Sequence, residues 1–248
     1  MAATTKRSGA GDTIWAVLAV IAGLLVLVGV YLSLMWAPEA ANLPTEAERL
    51  VQRVFYFHVA TAWVGFFAFG VTAFCGILYL ITKKRRWDSI ALSSVELGVA
   101  FAAANVVSGS IWARPTWNTW WPWNDPRITS AAIVLLIYVA YLMLRNAIDD
   151  PERRARLASV YGIVGFISVP ITFLSIRWWR TIHPAVIGTD SASAQGGFDM
   201  APNMVVALLF AVFTFTLVYF VLLHYRVKME ELREEVDELK ARVLAETA

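Results

Sequence analysis

Cysteine is almost missing from this chain of 248 residues, with Cys75 standing alone. A single thiol cannot close an internal disulfide, and it excludes a Cys-based metal site. Cys75 lies inside an apolar run and is expected to serve packing. Charge is scarce too. Asp, Glu, Lys and Arg make up 16% of the residues, where a soluble domain carries about 25%. No G-x-x-x-x-G-K-S/T stretch occurs, so ATP hydrolysis through a P-loop is excluded. The net charge of +2 gives no sign of a nucleic-acid partner. The long apolar runs lack the period-two alternation of a membrane β-barrel.

What the chain does have is hydrophobic length. Hydrophobic residues reach 58% and the mean hydropathy is +0.59. Runs of about 20 apolar residues are long enough to cross a bilayer as helices. They fall at 14–36, 54–81, 90–112, 128–147, 157–178 and 203–224. The expected fold is therefore all-α, a polytopic membrane protein with six transmembrane helices. The first run exceeds the core of a signal peptide, about 7–15 residues, and reads as an uncleaved helix. No internal repeat stands out.

Basic residues set the expected orientation, because cytoplasmic loops are enriched in Lys and Arg. Lys6 and Arg7, the run Lys83-Lys84-Arg85-Arg86, and Arg145, Arg153, Arg154 and Arg156 fall in alternate connections with the charged tail. Both termini are then cytoplasmic. Loops 37–53, 113–127 and 179–202, the last with a Ser/Gly/Ala-rich stretch at 188–197, face outside. The chain divides into a membrane domain, 1–224, and a helical tail, 225–248. In the tail Met229, Leu232, Val236, Leu239 and Val243 form a heptad-like stripe among charges. The tail reads equally as a helix that docks on a partner and as a solvated continuation of the sixth span.

The most distinctive stretch is SGSIWARPTWNTWWPWNDPRITS, residues 108–130. It holds Trp112, Trp117, Trp120, Trp121 and Trp123, five of the eleven tryptophans. Pro115, Pro122 and Pro126 each remove a backbone donor, so it cannot be regular helix throughout. One explanation is an interfacial aromatic belt. Belts scatter their rings over several helix ends. Here the rings are concentrated between Pro, Asn, Asp and Arg, which suits a platform for a large flat ligand.

Of the three histidines, His58 and His183 fall at the outer ends of the second and fifth spans, on the tryptophan side. His224 falls at the opposite end of the sixth span and reads as a solvated or capping residue. Zinc needs three or four ligands, and candidates beyond the two imidazoles are scarce. Copper usually recruits Met or Cys. Haem iron needs only one or two axial ligands, and a porphyrin disc suits stacked indoles. Arg114, Arg127, Arg177 and Arg180 lie in the same outer segments and could pair with propionates. The residues alone favour a surface haem site with His58 and His183 as axial ligands. No C-x-x-C-H motif for covalent attachment occurs.

These stretches also resemble a known family. Residues 108–130 resemble the tryptophan-rich WWD signature of haem-handling membrane proteins. RVFYFHVATAW and SIRWWRTIHP resemble the two His-bearing segments of the CcmC (haem exporter protein C) branch, which serves cytochrome c maturation. The resemblance covers residues 14–224. It implies that His58 and His183 ligate haem b transiently. It also implies that Trp117, Trp120, Trp121, Trp123 and Asp125 belong to the haem-holding loop. Asn118 departs from the family, which usually has Gly there. Asn124 also intervenes between the last Trp and Asp125, so either residue could take the usual acidic position. The resemblance further implies presentation of haem on the periplasmic face of the bacterial inner membrane to the haem chaperone CcmE. Its implied associates are the ABC-type ATPase complex of CcmA and CcmB and the small subunit CcmD.

Such a protein is a delivery component and not an enzyme, although a lyase-like role in attaching haem to the chaperone stays open. The alternatives are a WWD-type cytochrome c haem synthetase, a bis-His redox membrane cytochrome, and a transporter that binds a cation on the aromatic loop. Synthetases usually have more spans and further His, and redox cytochromes commonly bury paired His within their spans. Glu96 and Asn105 are the main polar groups available for a haem path through the bundle, with Glu96 read as interfacial. Gly65, Gly70 and Gly76, and Ala100, Ala102 and Ala103, read as helix-packing positions.

Overall fold

A computed structural model describes residues 9–40, 43–184 and 200–247. The Ser/Gly/Ala-rich stretch 188–197 and Lys6 and Arg7 lie outside the described residues. Among the described residues there are eight α-helices: α1 (Ala10–Tyr31), α2 (Glu46–Val51), α3 (Phe55–Thr82), α4 (Arg85–Trp117), α5 (Pro126–Asn146), α6 (Pro151–Phe166), α7 (Ser168–Trp178) and α8 (Pro202–Thr247). They form six segments long and apolar enough to cross a membrane, α6 and α7 making one of them. The six-span reading of the sequence therefore holds.

Local chemistry sets the boundaries. Thr45 and Glu48 form a reciprocal capping box at α2. Asp125 and Asp150 cap α5 and α6, each followed by proline at the first helical position. Pro170 lacks the N–H that would reach the carbonyl of Phe166. The fifth span accordingly breaks at Ile167, where the sequence pattern predicts one helix.

Two further boundaries differ from expectation. The third span does not stop at residue 112. It continues through Pro115 to Trp117 and ends on Asn118, which has φ 51°. The tryptophan loop proper is therefore 118–125, shorter than the expected 113–127. Loop 37–53 is not uniformly a loop either, since α2 and a 3-10 turn, Gln52–Val54, occupy its second half.

α3 is the central helix and packs against α4, α6 and α8. A Cβ at Gly65 would lie 3.3 Å from the backbone nitrogen of Ala102, so the small residues let these backbones approach closely. Phe69 and Tyr138 stack at 3.6 Å between α3 and α5. Cys75 is buried as a free thiol. α1 packs mainly on α8 and leaves most of its large apolar side chains exposed.

Six successive crossings put the starts of α3 and α5 and the end of α7 on one face. The other face is held together by ion pairs. Arg145 on α5 grips Asp88 on α4 with contacts of 2.5 and 3.0 Å, both residues being buried. Asp88 lies in the first turn of α4 and Arg145 in the last turn of α5, so each also complements a helix dipole. α8 runs past residue 225 without a break, and Arg226 pairs with Glu96 at 2.6 Å while Glu234 pairs with Arg85 at 3.1 Å. His224 stacks on Trp15 at 4.2 Å. Beyond that contact the stripe Met229, Leu232, Val236, Leu239 and Val243 is exposed.

Candidate functional site

The site begins with α3. Its first turn carries His58, whose ring faces α4. Ser108 gives its hydroxyl proton to the carbonyl of Asn105 at 3.0 Å, so its oxygen can accept from Nδ1 of His58, 3.1 Å away. In that tautomer Nε2 keeps its lone pair. The Asn105 side-chain amide donates to the His58 carbonyl at 2.9 Å, and its nitrogen lies 3.1 Å from Nδ1 and 3.4 Å from Nε2, where it can donate to the ring in the other tautomer. Asn105 is thus committed to His58 rather than to a path across the bundle. A Cβ at Gly109 would lie 2.9 Å from Cε1 of His58, so only glycine leaves the imidazole its place. Trp112, one turn further, meets His58 edge-on with ring centres 6.0 Å apart.

The second imidazole comes from the segment after α7. Nδ1 of His183 lies 3.0 Å from the carbonyl of Pro184 and donates to it, leaving the Nε2 lone pair available. Burial, then the positive charge of Arg127 and the nearby His58, hold His183 far below its ordinary pKa, at about 3. His183 is therefore neutral at physiological pH, the form a metal requires. The ring centres of His58 and His183 are 6.3 Å apart and their planes are tilted by 35°.

That spacing has a chemical meaning. A ligating imidazole nitrogen sits about 2.0 Å from a first-row metal, and its ring centre about 1.1 Å further back. Two imidazoles on opposite sides of one iron have centres about 6 Å apart, a spacing that this pair matches. Among the described residues no group of three or more His, Cys, Asp or Glu could hold a bare ion. The indole N–H of Trp121 is buried and has no acceptor among the described residues.

The other sequence-predicted residues divide by position. Arg127 donates to the carbonyl of Thr172 and lies 5.9 Å from the ring centres of both Phe66 and Phe173. This fixes a positive charge beside the two imidazoles. Asp125 is buried between the tryptophan loop and the His183 segment. Trp121 and Trp123 meet edge to face at 6.0 Å, and Trp123 and Trp120 are 76% and 60% exposed. Trp117 ends α4 and is partly buried. Arg114 is bound to the backbone and side chain of Asn118 at 2.8 and 2.9 Å. Arg177 lies in the last turn of α7. Arg180 borders a depression of about 270 Å³ with Asn124, Asp125, Thr181 and Ile182. The sequence reading did not identify Ser108, Gly109 and Thr181 as functional. The i, i+3, i+4 spacing of Asn105, Ser108 and Gly109 on one helix face was the available signal.

Comparison with known proteins identifies the family. Residues 1–242 match the family described as CcmC, Heme exporter protein C. The chain belongs to the Heme exporter protein C family. It is 32% identical over 218 residues to Heme exporter protein C of Bradyrhizobium diazoefficiens, covering 88% of this chain and 78% of that protein. With Heme exporter protein C of Escherichia coli it is 32% identical over 196 residues, 75% of each chain. A putative cytochrome c biosynthesis ccmC-like mitochondrial protein of Marchantia polymorpha is 30% identical over 201 residues, 80% of this chain and 81% of the other. In this member of the Heme exporter protein C family, Asn118 takes a left-handed conformation at the end of α4. Asn is the non-glycine residue that best tolerates it.

Proposed function

We propose that this chain binds haem between His58 and His183 at the outer face of the membrane. It then presents the haem to the chaperone CcmE during c-type cytochrome maturation. The 6.3 Å separation of the two imidazoles carries this reading, and membership of the Heme exporter protein C family supports the haem-handling role. Haem is cargo here. The iron supplies two axial positions, and the chain supplies the rest. The Pro184 carbonyl sets the tautomer of His183, Ser108 and Asn105 hold the ring of His58, Arg127 balances the propionate charge, and the exposed Trp120 and Trp123 offer faces to the macrocycle. A surface site leaves one haem edge open to a partner.

The haem is expected to be haem b, held without covalent attachment, and the chain acts as a delivery component rather than an enzyme. The His side is read as periplasmic and the ion-paired side as cytoplasmic, from the distribution of Lys and Arg. The exposed stripe on α8 then projects into the cytoplasm, where we assign it a contact with the ATPase complex of CcmA and CcmB. A stop after Arg226 should weaken that assembly, and unchanged assembly would remove the assignment.

The central test is the optical absorption spectrum of the detergent-purified protein, expressed with haem available, beside His58→Ala and His183→Ala. A low-spin spectrum altered in both variants is expected. Intact protein that holds no haem, even with its partners co-expressed, would sink the ligand assignment.

A further inference from the structure

We propose that Asp125 and Thr181 form a latch that positions His183, and that Asp125 does not itself touch the haem; this rests on the bis-His reading above. The Asp125 carboxylate accepts four hydrogen bonds. Oδ1 takes the backbone N–H groups of Arg127 at 3.0 Å and Ile128 at 3.1 Å. Oδ2 takes the Thr181 hydroxyl at 2.6 Å and the Ile182 N–H at 2.9 Å. A carboxylate offers about four acceptor positions, so all are in use. The group is only 4% exposed. It has no capacity left for a haem edge, and its charge repels a propionate.

The latch continues into the ligand. Thr181 gives its proton to Asp125 and accepts the backbone N–H of His183 at 3.0 Å. The two backbone donors at 182 and 183 are thereby fixed, and the His183 ring is held by the carbonyl of Pro184. On the other side the Asp125 N–H closes the tryptophan loop by bonding the carbonyl of Pro122 at 3.0 Å. The tryptophan loop, the start of α5 and the His183 segment are one hydrogen-bonded unit. Asp125 and Thr181 are positioning residues, and a partner that engages the tryptophan loop acts on His183 through them.

The test compares Thr181→Val, Thr181→Ser and Asp125→Asn in the full chain. Valine keeps the shape of threonine and removes the hydroxyl. Asparagine keeps one oxygen for the cap of α5 but places its NH2, a donor, against the Ile182 N–H. In haem-loaded protein, Thr181→Val and Asp125→Asn should lose the low-spin spectrum and take on that of His183→Ala, while Thr181→Ser keeps the wild-type spectrum. In haem-free protein, amide exchange at 182 and 183 should rise about tenfold or more in Thr181→Val and stay at the wild-type rate in Thr181→Ser. A wild-type spectrum in both Thr181→Val and Asp125→Asn overturns the latch, and so does unchanged exchange in Thr181→Val. If the wild-type protein binds no haem, the bis-His reading fails and the exchange measurement alone decides the latch.

Discussion

The imidazoles of His58 and His183 have ring centres 6.3 Å apart and planes tilted by 35°, although one belongs to the first turn of α3 and the other follows α7. Nδ1 of His183 donates to the Pro184 carbonyl, which leaves its Nε2 free, while the Ser108 hydroxyl and the Asn105 amide nitrogen both lie 3.1 Å from Nδ1 of His58. Most of what can be tested follows from how these two rings are held.

Gly109 should be intolerant of change. An added methyl would press on Cε1 of His58 at 2.9 Å, and overpacking of this kind costs about 1–3 kcal/mol. Gly109→Ala is expected to weaken haem binding about tenfold or more, read by haem titration. Gly23→Ala, where no atom lies within 4 Å, should leave it unchanged.

Ser108→Ala removes the hydroxyl bonded to Nδ1 of His58, and Asn105→Ala removes the amide on its carbonyl. Each loses about 1 kcal/mol of hydrogen bonding, so each should weaken haem binding roughly fivefold. Affinity equal to wild type in both would show that α4 does not orient the ring.

Trp123 is 76% exposed, so truncating it should not lower the melting temperature. Trp123→Ala should nevertheless reduce haem retention or its transfer to the chaperone. A variant equal to wild type in both assays would reduce Trp123 to an interfacial belt residue.

On the opposite face, Asp88→Ala leaves Arg145 buried without its carboxylate partner. Breaking one side of such a pair costs about 3–5 kcal/mol. The expected outcome is a marked drop in thermal stability in detergent, with the folded fraction keeping its haem spectrum. A stability like that of wild type would mean that water reaches the pair.

Glu96 is claimed by Arg226, which makes it a clasp between α4 and α8. Glu96→Gln should lower stability by about 1 kcal/mol or less and leave haem binding intact. Loss of haem delivery at full stability would revive a polar path through the bundle.

Much of this molecule is legible from its residues. A bilayer fixes how many apolar residues a span needs, so the six spans are countable from hydropathy, and His58 and His183 sort to one face by counting crossings. Helix ends are less legible. Pro115 removes only one bond and two more residues fit the final turn, so α4 outruns its proline; Pro170 breaks the fifth span instead. Asp125 and Asn124 cannot be ranked from composition either. Burial separates them, since Asp125 is enclosed by four donors and Asn124 is exposed.

The sequence by itself determined the fold class, that the two imidazoles lie on the same side, and the aromatic character of the loop between the spans. Those properties depend on local chemistry and on the thickness of a membrane. Only the tertiary structure decided that the two rings stand one metal's width apart, that Gly109 leaves room for one of them, and that Asp125 and Thr181 hold the other. Those depend on contacts between α3, α4, α5 and the segment after α7, and such contacts follow from packing in three dimensions rather than from spacing along the chain.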